Sequence, residues 1–164
     1  MKEQNLEDTV REVIRKMAAS ATMNLDLAKH LMEAVEEQAK KVGVKAVIAV
    51  SDAAGRPIAV HCMDGAYIGS FDVALNKTYT AVAFQMPTAE LARLAAPGGS
   101  LYGIQNTNEG KIVIFGGGEP LYVGETLVGA IGVSGGSAKQ DTDLGIYGVE
   151  RFRELVNKNG TITG

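Results

Sequence analysis

Residues 112–141 read IVIFGGGEPLYVGETLVGAIGVSGGSAKQD, and the alternation within this run decides the architecture. Three adjacent glycines, Gly116 to Gly118, precede two strand-like runs, Leu121 to Val123 and Thr126 to Val133. The turn Gly124-Glu125 is short enough to make them a hairpin. Glycine weakens a strand interior, so glycines here mark turns, bulges or close backbone approach. The second run ends on Ser134-Gly135-Gly136-Ser137, and Ser137 with Gln140 has capping-box spacing. A helix is therefore expected from about Ala138 to Asn157, with a loose tail over 158–164. A glycine loop feeding a helix amino terminus offers backbone N–H groups to an anion. Hairpin turns alone would also use these glycines, and both readings stand.

Upstream, Leu25 to Val42 has helical spacing, with Asn24 as cap, Gly43 as stop, and Leu27, Leu31, Ala34, Val35 and Val42 facing inward. His30 shares a polar face with Asp26, Glu33 and Glu37. Ala46 to Ser51 and Pro57 to Cys62 read as a hairpin around Asp52-Ala53-Ala54-Gly55. On its second strand Ile58, Val60 and Cys62 point one way, and Ala59, His61 and Met63 the other. Ser70 is placed to cap a helix from Phe71 to about Gln85, in which Lys77 is almost the only charge. Such a lysine either snorkels or pairs with a carboxylate, and Asp64 and Asp52 are the candidates. A short helix follows at Ala89 to Leu94, then a polar loop over Ser100 to Gly110 of the kind that carries binding. Ile112 to Phe115 would be a further strand. Five short strands joined mostly by hairpins, with helices before and after, give an α+β layered domain on an antiparallel sheet.

Residues 1–20 stand apart. Leu6, Val10, Val13, Ile14 and Met17 form an apolar stripe at helical spacing, followed by a linker before the domain of residues 21–164. A helix this short needs a surface, which is either its own domain or oligomer or another assembly.

Composition narrows the partners. The 164 residues are 46% hydrophobic and 21% charged, ordinary for one folded domain. A net charge of -3 leaves no basic footprint for nucleic acid. No apolar run has membrane-spanning length, no signal peptide is evident, and the expectation is a cytoplasmic protein without membrane or nucleic-acid partners. The single cysteine, Cys62, excludes an intramolecular disulfide and a multi-cysteine metal cluster.

The chemistry visible in the residues is limited. Gly132-Val133-Ser134-Gly135-Gly136 has only a surface likeness to a nucleophile elbow, and two histidines give a hydrolase little to work with. Gly116 to Gly118 lacks the spacing of a dinucleotide loop and the lysine of a phosphate loop. A zinc site wants three or four ligands, whereas heme iron needs one or two, and His30, His61, Cys62 and Met63 are chemically eligible.

From Asn24 to Arg151 the chain resembles a known family. The pieces that carry the likeness are Ala49-Val50-Ser51-Asp52, Met63-Asp64-Gly65-Ala66 and Ala74-Leu75-Asn76-Lys77-Thr78-Tyr79-Thr80-Ala81. They continue with Pro87-Thr88, Phe115-Gly116-Gly117-Gly118-Glu119-Pro120, Gly129 to Gly136 and Gln140-Asp141. Their order is similar to that of the glycolate-operon GlcG and heme-binding (heme-degrading) domain family, which includes the carboxy-terminal domain of propanediol-utilisation corrinoid adenosyltransferases. The resemblance implies a profilin-like fold on a five-stranded antiparallel sheet and homo-oligomers, often octamers. It also implies heme as cofactor, with a corrinoid as the second choice. The chain departs from the pattern at Cys62, where many relatives carry arginine, so a contact made by that arginine is not implied here. His61-Cys62-Met63-Asp64 and Leu101 to Gln105 look most like members encoded with bacterial microcompartments, and residues 5–18 are similar to an encapsulation peptide that docks to a shell protein.

The ligand is then expected beside Asp64, Lys77, Gly116, Gly117, Gly118, Ser134, Gly135, Gly136 and Asp141, with His61 and then His30 as axial iron ligands. The function implied is a heme- or corrinoid-associated accessory protein of a microcompartment pathway. The alternatives are a small enzyme with Lys77 and Asp141 as acid and base, and a non-catalytic oligomeric scaffold.

Overall fold

Helix α1 (Leu25–Lys41) begins where Asn24 Oδ1 accepts the Leu27 N–H at 2.9 Å, and its chain turns away at Gly43 with φ +73°. It belongs to a computed structural model that describes residues 22–159 of the chain. The amphipathic segment of residues 1–20 and the last five residues lie outside these, while Lys158 and Asn159 extend the final helix rather than starting a tail.

Strands β1 (Val47–Asp52) and β2 (Pro57–Cys62) form the first hairpin, and β3 (Gly118–Val123) and β4 (Thr126–Ser134) the second. All pairings are antiparallel, in the order β2-β1-β4-β3. Among the described residues the sheet has four strands, not the expected five. Ile112 to Ile114 carry no regular structure and Phe115 lies in a bend, so the segment joins no ladder, and the Val113 N–H is taken by the Thr80 hydroxyl at 3.0 Å. Of the chain's four prolines, Pro57 and Pro120 lie in strands, both of them edge strands, where a missing N–H costs least.

Helices cover both faces of the sheet. On one face α1 and α4 (Ala138–Asn159) bury Leu31, Met32, Val35 and Phe152 against Ile48, Val50, Leu121, Ile131 and Val133. On the other, α2 (Ser70–Phe84) lies over Val47 and Ala49 through Ala74, followed by α3 (Thr88–Leu94). Helix α2 comes down onto the backbone itself. A Cβ at Gly132 would collide with the Ala74 carbonyl oxygen, and one at Gly118 would sit 2.7 Å from that of Lys77. These glycines are the price of close helix–sheet contact.

Two expected details differ. Val42 ends α1 47% exposed rather than inward, while Ala28, Met32 and Ala39 complete the buried stripe. The cap of α2 is Gly69, and the Ser70 hydroxyl is drawn inward, 3.1 Å from that of Ser134. The expected capping box of α4 is formed on both sides. Ser137 Oγ accepts the Gln140 N–H at 3.2 Å, and Gln140 Oε1 accepts the Ser137 N–H at 2.9 Å.

Candidate functional site

The glycine-rich segment and the long charged side chain of α2 meet at the ends of β3 and β4. Lys77, fully buried, donates to the Val133 carbonyl at 2.6 Å and to Asp141 Oδ2 at 2.9 Å. Its partner is Asp141, not Asp64 or Asp52. Asp64 lies exposed in the turn after β2, and Asp52 closes its own hairpin by accepting the Ala54 and Arg56 N–H groups at 2.8 and 3.0 Å. The pair joins α2 on one face to α4 on the other. The Phe115 ring covers it, with its centroid 5.1 Å from Nζ. Gly117, with φ +112°, packs so close that a Cβ there would lie 2.8 Å from Nζ. Burial holds the Lys77 pKa below its ordinary value, and the neighbouring Asp141 carboxylate offsets that only in part.

The glycine loops spend their hydrogen bonds within the chain. Gly136 N–H donates to Asp141 Oδ1 at 2.8 Å, and Gly118 N–H donates to the Thr88 hydroxyl at 2.9 Å. The Gly117 carbonyl accepts the Val133 N–H at 2.8 Å. A Cβ at Gly116 would meet the Thr142 side chain, and one at Gly135 would meet the Lys45 backbone. Lys77, Asp141, Gly116, Gly117 and Gly118 thus form one enclosed knot, Ser134 and Gly135 lie beside it at the end of β4, and Asp64 stands outside.

Among the described residues neither histidine hydrogen-bonds to Lys77 or Asp141. His61, on edge strand β2, faces α1, and its Nδ1 is 3.1 Å from Glu36 Oε2. The two side chains are half-buried. Glu36 Oε1 is held by Lys40 Nζ at 2.9 Å, and the carboxyl lies below its ordinary range, chiefly through that hydrogen bond. Among the described residues His61 Nε2 takes no hydrogen bond. His30 lies on the exposed face of α1 with Nδ1 2.9 Å from the Asp26 carbonyl. Met63 turns inward, its sulfur accepting the Ala46 N–H at 3.3 Å, while Cys62 is exposed. Tyr67, Ile68 and Phe71, in the turn after β2 and the start of α2, are 74%, 97% and 43% exposed.

Two groups escaped the sequence reading. Glu36 lies 25 residues from His61, and no local pattern links them. Glu119 is 6% exposed, and burial pushes its pKa up to about 7. It had a signal: alternation places it on the face of Leu121 and Val123, which pack into the core.

The chain has relatives of known sequence and structure. A 15.0 kDa protein of the dhaT-dhaS intergenic region of Citrobacter freundii is 41% identical over 142 residues, 87% of this chain and 100% of that protein. The corrinoid adenosyltransferase PduO of Salmonella typhimurium is 39% identical over 114 residues, 70% of this chain. The match spans 34% of that enzyme, about a third of its length. The crystal structure of a PduOC–heme complex superimposes with a TM-score of 0.76 at 34% identity, covering 79% of this chain and 94% of that one. The family described as haem degrading protein HbpS-like matches residues 23–150, the whole sheet and nearly all of its helices, and the chain belongs to that family.

Proposed function

We propose that this protein is a heme-binding accessory protein with His61 as the axial iron ligand. The observation that carries the assignment is the Nδ1–Glu36 contact at 3.1 Å. A carboxylate on Nδ1 holds the imidazole with its proton there and leaves Nε2 as the lone-pair donor, the arrangement that metal-binding histidines use. His30 lacks a close carboxylate, its Asp26 Oδ2 being 3.7 Å away. Bound heme would supply a redox-active iron, while the chain supplies the ligand and its orientation.

Heme is preferred to a corrinoid because the heme complex involves the very piece of PduO that this chain resembles, and the remaining two thirds of that enzyme have no counterpart in the match. The enclosed state of Lys77 and Asp141 favours binding over acid–base turnover. The wider reading adds a homo-oligomer, as in an octamer, and residence in a bacterial microcompartment through residues 5–18. Its support is the kinship with PduO and the amphipathic stripe of that segment.

A hemin titration followed by visible absorbance tests the assignment. Saturable Soret changes are expected for the parent and for His30→Ala, and their loss for His61→Ala. A non-saturating titration of the parent would remove heme from the reading, and an unaltered His61→Ala spectrum would remove His61.

A further inference from the structure

Resting on the assignment of His61, we infer that Glu36 is a positioning residue that sets the donor strength of the axial histidine, with Lys40 as its counterweight. Glu36 reaches from α1 to the edge strand and divides its two oxygens. Oε2 meets His61 Nδ1 at 3.1 Å, and Oε1 meets Lys40 Nζ at 2.9 Å, one helical turn on. Lys40 is itself shared with Glu37 Oε1 at 2.8 Å. The line His61–Glu36–Lys40–Glu37 therefore alternates in charge away from the imidazole.

An anionic acceptor on Nδ1 gives the ring partial imidazolate character and makes Nε2 a stronger donor. A stronger donor favours ferric over ferrous iron and lowers the reduction potential. Lys40 draws electron density from the same carboxylate and moderates the effect. The contact is sheltered enough to matter. Glu36 and His61 side chains are 27% and 32% exposed, against 82% and 58% for the surface pair Lys139–Asp143. His30 Nδ1 faces a neutral carbonyl and is 57% exposed, so it has no equivalent tuning. The two histidines differ in electronic character as well as in access.

The test uses the full chain loaded with hemin and reads the midpoint potential by spectroelectrochemical titration in the parent, Glu36→Gln and Lys40→Met. Glu36→Gln should raise the potential and Lys40→Met should lower it, with heme still bound in both. Unchanged potentials in both variants, alongside loss of the heme spectrum in His61→Ala, would overturn the tuning role and leave the ligand assignment standing. Loss of the spectrum only in a histidine variant other than His61 would instead overturn the assignment beneath it. Should Glu36→Gln release heme, the sign of the Lys40→Met shift decides the matter.

Discussion

Gly118 and Gly132 stand opposite one another across the β3–β4 ladder, and α2 rests on both. Neither position has a side chain because helix backbone occupies the space. A Cβ at Gly132 would strike the Ala74 carbonyl, which has no rotamer to change. Gly132→Ala is expected to destabilise by about 3 kcal/mol through overpacking. Gly43→Ala is the contrast: the space is open, but φ is +73°, and a left-handed L-residue costs about 1 kcal/mol. Urea unfolding of the two variants checks the order.

Lys77→Met would leave the Asp141 carboxylate buried with, among the described residues, the Gly136 N–H as its remaining donor. Breaking one side of a buried pair costs about 3–5 kcal/mol. Lys77→Met/Asp141→Asn removes the stranded charge but keeps an acceptor for Gly136. The double variant should lose less than the sum of its singles by at least about 1 kcal/mol. A denaturant double-mutant cycle with additive losses would contradict the coupling.

Glu119 predicts a stability that falls as pH rises. Burial lifts its folded pKa from 4.5 to about 7, so between those values the folded chain holds a proton that the unfolded chain has released. Its stabilising effect is complete below the window and is lost as pH climbs through it. Glu119→Gln should match the parent near pH 4.5 and exceed it at pH 8 by on the order of 3 kcal/mol. A difference that does not vary with pH, measured by urea unfolding at both values, would refute the prediction.

Local chemistry was legible in the sequence, and pairing at a distance was not. Asn24, Gly43 and the Ser137–Gln140 box act within one turn of where they stand, so helix ends could be placed from residue types alone. The Gly124-Glu125 hairpin is equally local. Ile112 to Phe115 misled because an apolar run reports burial, which Ile112 and Val113 have, and not ladder pairing, which they lack. Lys77 announced that it would need a carboxylate, but 64 residues separate it from Asp141. Choosing Asp141 over Asp52 or Asp64 requires knowing that β4 delivers α4 to the far face. Ser70 fitted a cap by type, yet the nearness of Ser134 drew its hydroxyl inward.

The tie between Lys77 and Asp141 also constrains how the domain can open. Peeling α2 from one face or α4 from the other separates the ammonium from its counter-ion while each still faces protein. Partial detachment is therefore penalised more than either helix's apolar contacts alone would dictate. Amide hydrogen exchange in the middle of α2 and in the first turns of α4 should then proceed through the same global event, so that the two helical layers, distant in sequence, behave as one cooperative unit.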